Sequence, residues 1–371
     1  MPNSHFDETM EIFHDESRPP HFLAMDQSKK THCKHMAQFG IPVADDADFE
    51  RKATQIRQAI CTTPNLGQYF TGAIQADDAY ALTGPDGRPL MEHLREQGVE
   101  PIGKKCGLVN DPNDQMHGLI PVKDMAALPE QLEALVGMGI HVGKFRNTVA
   151  AVVQERGKEA AAVQMAHIHE QCARNGKIAA VLEPEFLLKN PGTLEQNEAL
   201  MTEVLSHLWE RIEAGDFRNH PFFIKTSFPT PGTESGEPIN PEESAAAMQR
   251  ILERTELPPE LFLVFLSGGH DPRTSRLLLT AMAQRTGIKQ RMGSSFSRAI
   301  LESTYRQAFR YGDCSTAAAQ DEILKQGNLN EQAMRGRYEP SYEDPRIRHE
   351  DLVRVLDPDA ILCDQQEDRS V

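Results

Sequence analysis

Short apolar runs alternate with longer polar or amphipathic stretches along the chain, and the alternation repeats eight times. The runs are His21–Asp26, Tyr69–Gln75, Val99–Lys105, Ile140–Arg146, Lys177–Glu183, Pro221–Thr226, Leu261–Ser267 and Arg291–Phe296. Runs this short, most of them closed by a polar or charged residue, read as buried strands. The segments between them carry apolar residues at helical spacing: Leu128, Leu132 and Leu135; Leu200, Val204 and Leu208; Leu277, Leu278 and Ala281. Strand and helix in strict alternation predict βα units around a parallel sheet. A doubly wound open sheet shares that pattern. The Gly-rich turn usual after its first strand is missing, however, and a further helical segment follows the eighth run. The pattern therefore predicts an α/β fold, a (β/α)8 TIM barrel over residues 21–312, preceded by an N-terminal extension (1–20). Residues 313–371 read as an irregular acidic tail or docking arm with one apolar run, Leu352–Leu356. The Pro- and Gly-rich stretch Phe228–Pro241 is expected as a long loop after the sixth strand, either a solvated excursion or a lid.

Composition narrows the class of partner. The chain has 371 residues, 39% of them hydrophobic, which supports a sizeable core, and it has no apolar stretch of the ~18 residues needed to span a bilayer. A net charge of −16 opposes nucleic-acid binding, so an anionic ligand needs a local cluster of Lys and Arg. The six cysteines (Cys33, Cys61, Cys106, Cys172, Cys314, Cys363) include no CxxC pair and read as reduced thiols. The first 20 residues are acidic and lack an apolar block, so a cytoplasmic protein is expected. No metal site is expected: His167 and His169 face apart on a helix, and His32 with His35 has no evident third ligand. The histidines His93, His207 and His349 read as surface residues.

In a barrel the strand C-termini converge on one mouth, so residues ending different strands become neighbours. The mouth is expected to collect Asp26, Lys104, Lys144, Arg146, Glu183, Lys225, Ser267 and Arg298. A lysine ending an apolar run is usually a snorkelling side chain. Beside Lys144, however, Lys225 would hold its ammonium less tightly and could present a neutral amine to a ketone. Glu183 could then shuttle protons, and Asp26 could accept a hydroxyl proton as a bond breaks. The glycines of Ser267-Gly268-Gly269 allow backbone N–H groups close to a phosphate, and Arg298 after the next strand supplies a bidentate fork.

These strand ends resemble those of class I fructose-bisphosphate aldolases, particularly the short bacterial-type members. The resemblance runs from about Phe22 to Phe309 through FLAMDQSKKT (22–31), GKFR (143–146), LEPE (182–185), FFIKTSFPTPG (222–232), FLSGG (265–269) and SSFSRAI (294–300), in the family's order. It implies that Lys225 is the Schiff-base lysine, Glu183 the principal acid/base, Asp26 the carboxylate for bond cleavage and Lys144 an aid to carbinolamine chemistry. It further implies that Arg146 and Glu185 are supporting charges, that Ser267, Gly268, Ser295 and Arg298 hold the ketone-side phosphate, and that Lys34 and Lys104 lie on the substrate side. No cofactor is implied; the partner is a phosphorylated sugar, and a homo-oligomer is expected. The chain departs from the family at Lys104-Lys105-Cys106-Gly107, one residue short, at His35 for a frequent arginine, at Gln27 for a frequent glutamate, and in having no terminal tyrosine. Which of Lys104 and Lys105 faces the site stays open. So do two rival functions: a Schiff-base aldolase for another ketose such as sedoheptulose 1,7-bisphosphate, and a non-catalytic sugar-phosphate-binding barrel.

Overall fold

The computed structural model of the chain describes residues 4–104, 119–120, 125–149, 155–344 and 346–356. Its strands are β1 (His21–Met25), β2 (Gly72–Ala76), β3 (Glu100–Lys104), β4 (Leu119–Ile120), β5 (Val142–Val149), β6 (Ala179–Phe186), β7 (Phe222–Thr226), β8 (Phe262–Leu266) and β9 (Arg291–Phe296). All except β4 pair in parallel, and the ring closes where β9 meets β1 (Phe22 opposite Ser295) and β3 meets β5 (Ile102 opposite Val142). This is the eight-stranded barrel that the alternation predicts. The two-residue β4 adds antiparallel to the upper end of β5, pairing Leu119 with Val149. The strands β5 and β6 run about one turn of pleat beyond the predicted ends at Arg146 and Glu183, so both charged residues lie within paired backbone.

The period of two sorts the strand residues into two separate apolar clusters. Phe22, Ala24, Ile74, Ile102, Val142, Ala179, Val181, Phe223, Phe262 and Val264 fill the barrel interior. Their neighbours Leu23, Met25, Phe145, Leu182, Ile224, Leu263 and Phe265 face outward and pack with the helices. The segment read as an N-terminal extension closes the floor of that interior. Its helix, His5–His14, is capped by Ser4 and Asp7, and it buries Met10 and Phe13 in the inner cluster. The Phe13 ring meets Phe223 and Phe22 edge-on at 5.1 and 5.7 Å.

Two expectations need correction. Residues after Gly312 are not irregular: Thr316–Met334 is a 19-residue helix packed against the helices Asp46–Cys61, Pro272–Gln284 and Arg298–Ala308. Its polarity hid it, because the buried face includes Gln326, Asn328, Asn330 and Gln332 alongside Ile323 and Leu329. A second helix, His349–Leu356, buries Leu352, and His349 is a docking residue, its Nε2 2.8 Å from the Tyr69 hydroxyl. The loop Phe228–Pro241 is pinned in its first half. Phe228 stacks on Phe265 at 4.7 Å, Asn197 Nδ2 donates to Thr230 O (2.8 Å), and Gly232 N–H donates to Gly192 O (2.9 Å). A Cβ on Gly232 would lie 2.0 Å from Asn190 O, so no other residue fits there. No helix among the described residues is long and apolar enough to cross a membrane.

If the helix His5–His14 is part of the core, Phe13→Ala should lower the unfolding free energy by about 3–5 kcal/mol in urea titration, the usual loss for a buried phenylalanine. A loss below about 1 kcal/mol would show that the floor is dispensable.

Candidate active site

Alternation that places Phe22, Ile102, Val142, Val181 and Phe223 inside the barrel also turns inward the residues two or more steps along each strand. Asp26, Lys104, Lys144, Arg146, Glu183, Glu185 and Lys225 therefore rise on the inner face toward the mouth. Four of them are almost fully buried: Asp26 is 6% exposed, Lys144 5%, Glu183 3% and Lys225 3%. They form one ionic chain. Lys225 Nζ lies 3.2 Å from Glu183 Oε2, the same oxygen lies 2.8 Å from Lys144 Nζ, and Lys144 Nζ donates to Asp26 Oδ2 at 2.9 Å. Lys104 Nζ closes on Asp26 from the other side, 3.1 Å from Oδ2 and 3.0 Å from the backbone oxygen. Arg146 pairs with Glu185, and its Nε lies 3.9 Å from Glu183 Oε1.

A second group gathers where β8 pairs with β9, Leu266 opposite Ser295. Ser267 leads into Gly268 and Gly269, whose φ angles of +60° and +108° suit only glycine without strain. Arg298 opens the next helix and donates to Gly269 O. Ser294 faces outward, accepting from Asn330 Nδ2, so Ser295 faces the barrel; its Oγ is buried without a hydrogen-bond partner. A buried hydroxyl left unpaired is costly, and this one sits on β9 opposite Leu266, the residue that precedes the Ser267–Gly269 turn.

A sequence model of the family described as "Fructose-bisphosphate aldolase class-I" matches residues 19–355. The chain belongs to the class-I fructose-bisphosphate aldolase family. It is 25% identical over 330 residues to fructose-bisphosphate aldolase 1, chloroplastic, of Arabidopsis thaliana, spanning 85% of this chain and 77% of that one. With fructose-bisphosphate aldolase 1, chloroplastic, of Pisum sativum it shares 26% over 339 residues, 90% and 91% of the two chains. The fold is that of a Plasmodium falciparum fructose-bisphosphate aldolase solved with TRAP and a small-molecule inhibitor. The TM-score is 0.80 at 21% identity, covering 90% of this chain and 95% of that one.

Within this aldolase-family barrel the electrostatics separate the two lysines. Burial is the larger cause that brings the Lys225 ammonium down to about 8; Lys144 adds to the fall, and Glu183 and Asp26 resist it. The repulsion from Lys144 expected from sequence is thus present but secondary. Burial also works against the charge on Lys144, yet Asp26 and Glu183 outweigh it and raise its pKa above the ordinary lysine value. Asp26 is pulled the other way: burial favours its neutral form, but Lys144, Lys104 and Lys225 together hold it well below the usual carboxylate range. Glu183 is lowered too, burial being overcome by Lys144, Lys225 and Arg146. The arrangement yields one amine that can lose its proton near neutrality and three neighbours that keep their charges.

Not every anticipated residue joins this centre. Lys34 is exposed on the helix Lys29–Gln38 and takes no part in the buried ionic chain. On the same helix His35 is half-buried and stacks on Phe39 at 5.7 Å, with burial, Arg298 and Lys34 lowering its pKa. Lys104 is the lysine directed at Asp26; Lys105 lies outside the described residues. Of the histidines weighed as ligands, His32 Nε2 sits 2.6 Å from the Tyr305 hydroxyl and His169 Nε2 3.0 Å from Phe217 O. Two residues take supporting positions that the sequence reading did not assign them. The Tyr80 hydroxyl accepts the Lys104 backbone N–H at 2.8 Å, fixing the end of β3. Gln27 Nε2 donates to Ala24 O (2.8 Å) and to Ser297 Oγ, linking the ends of β1 and β9. Tyr80 lies outside every motif that carries the family resemblance, and although Gln27 lies within FLAMDQSKKT, a tyrosine or glutamine becomes supportive only through tertiary placement.

Labelling of Lys225 by reductive methylation should rise with pH to half its maximum near 8, because only the deprotonated amine reacts and its proton affinity is depressed. A half-point near the ordinary lysine value of 10.5 would show that the amine is not activated.

Proposed function

We propose that the chain is a metal-independent Schiff-base aldolase that reversibly cleaves fructose 1,6-bisphosphate to dihydroxyacetone phosphate and glyceraldehyde 3-phosphate. The observation that carries this reading is Lys225: an amine buried to 3% exposure at the inner end of an ionic chain, 3.2 Å from the Glu183 carboxylate, where burial lowers its proton affinity. Lowered proton affinity makes the neutral, nucleophilic amine more accessible near neutral pH than in an ordinary lysine.

Neutral Lys225 adds to the C2 carbonyl and forms a carbinolamine. Loss of its hydroxyl as water needs protons that start on the Lys225 nitrogen, and Glu183, an ionised carboxylate 3.2 Å from that nitrogen, accepts them there and passes them to the oxygen, ending as a carboxylate again. Lys144 keeps its proton, so its part is a fixed positive charge and hydrogen-bond donor toward the departing oxygen. The iminium so formed is the electron sink. Asp26, held ionised by Lys104 and Lys144, takes the C4 hydroxyl proton; the C3–C4 pair moves into the iminium, releasing glyceraldehyde 3-phosphate and leaving an enamine. The proton that Asp26 took is returned to the enamine at C3, restoring the carboxylate, and addition of water to the regenerated iminium frees dihydroxyacetone phosphate and Lys225. The Ser267–Gly269 turn, Ser295 and Arg298 suit the ketone-side phosphate.

In a coupled assay containing EDTA, wild type should turn over fructose 1,6-bisphosphate, and Lys225→Arg should lose about three orders of magnitude or more in kcat while keeping its circular dichroism spectrum, as loss of a covalent nucleophile implies. Sedoheptulose 1,7-bisphosphate run in parallel separates the aldehyde-side specificities. Full activity in the variant, or activity abolished by EDTA, would overturn the mechanism.

A further inference from the structure

Arg276 is among the most deeply buried side chains of the described residues, 1% exposed, yet it carries a charge that burial penalises by several kcal/mol unless it is fully met. It is met from three directions. Nε donates to Asn330 Oδ1 at 2.9 Å, Nη1 to Glu343 Oε1 at 2.5 Å and Nη2 to Gln326 Oε1, while the guanidinium lies 6.0 Å from the Tyr338 ring centre. The acceptors come from the helix Thr316–Met334 and from the turn Pro340–Glu343 behind it; Arg276 itself sits on the helix Pro272–Gln284. A planar fork with donors at fixed angles sets the relative placement of three elements, which an apolar residue or a lysine does not.

Both ends of this cluster reach the phosphate cradle. The helix that bears Arg276 begins two residues after His270, directly following the Ser267–Gly269 turn. Asn330, held through its oxygen by Arg276, uses its amide nitrogen to donate to Ser294 Oγ at 3.3 Å. Ser294 is the outward neighbour of Ser295 on β9 and is paired through the backbone with Phe265 of β8 and His21 of β1. Displacing Ser294 along the strand would displace the Ser295 hydroxyl with it. An apolar core would pack this crevice without the penalty of a buried ion, so the ion's distinguishing property is its geometry.

We propose that Arg276 is a positioning residue that, through Asn330 and Ser294, holds the two halves of the phosphate cradle, the Ser267–Gly269 turn and the Ser295 end of β9, in mutual register. The inference rests on the aldolase reading above and deepens it: the C-terminal segment 316–343 acts as a brace for phosphate recognition.

The test is the concentration dependence of Lys225 adduct formation under cyanoborohydride, with dihydroxyacetone phosphate and with unphosphorylated dihydroxyacetone, in wild type, Ser294→Ala and Arg276→Lys. Ser294→Ala removes one acceptor and no packing volume of consequence, so it should fold even if Arg276→Lys does not. Loss of one such hydrogen bond predicts a roughly three- to tenfold rise in the half-saturating dihydroxyacetone phosphate concentration, with that for dihydroxyacetone unchanged. An equal shift for both ketones, or none for either, in Ser294→Ala would overturn the brace while leaving the aldolase reading intact. No adduct in wild type with either ketone would overturn the aldolase reading and the brace together.

Discussion

Two carboxylates and two lysines share the upper interior of a barrel otherwise filled with hydrocarbon, and each is tolerable there only because of the others. Removing an ion from water carries a penalty of several kcal/mol after relaxation, so an isolated charge at this depth would neutralise. The sequence Lys104–Asp26–Lys144–Glu183–Lys225 meets that penalty in steps, every carboxylate lying between two cations. The buried end of this chain, Lys225, differs from its middle and from its more exposed end at Lys104. Lys144 touches two carboxylates and is held charged, whereas Lys225 touches one and has burial working against it, so the proton leaves the terminal amine first. The same compensation that makes the polar interior stable therefore selects the nucleophile.

The rest of the fold serves that chain. Strand alternation delivers the five residues to one volume, and the inner layer of Phe22, Val142, Val181 and Phe223 below them keeps the local dielectric low. The helix His5–His14 seals the floor with Phe13, so water does not reach the ions from beneath. Outside the ring, buried polar contacts take over from hydrocarbon where position matters. Tyr80 fixes the strand end that carries Lys104, Gln27 joins the ends of β1 and β9, and Arg276 meets Asn330 of the helix Thr316–Met334, whose amide nitrogen donates to Ser294 on the strand that carries Ser295.

Much of this was legible in the sequence, for physical reasons. Strands buried on both faces are apolar over most of their length, and so Lys177–Glu183 and Leu261–Ser267 stand out against their surroundings. A charge at the end of such a run is conspicuous, which is why Asp26, Lys144, Glu183 and Lys225 could be named without coordinates. The helix Thr316–Met334 was illegible because its buried face is built from amides, and hydrophobic periodicity does not register Gln326 or Asn330. The floor helix was hidden for another reason: ten residues with only Phe6, Met10 and Phe13 as apolar anchors look like a polar leader until a barrel supplies the surface they fill. The role of Lys34 rested on family resemblance alone, and its exposed position keeps it outside the ionic chain. The order of causes at Lys225 could not be read either, since burial is a tertiary property and residue types make only the repulsion from Lys144 visible.

The central claim is that Lys225, at the end of the buried ionic chain, is the amine that bonds the ketone. Borohydride reduction in the presence of dihydroxyacetone phosphate, followed by peptide mapping by mass spectrometry, tests it most directly. The account predicts a single stable adduct on the peptide containing Lys225 and none in Lys225→Arg. An adduct on Lys104 or Lys144 instead, or no adduct in folded protein, would contradict it.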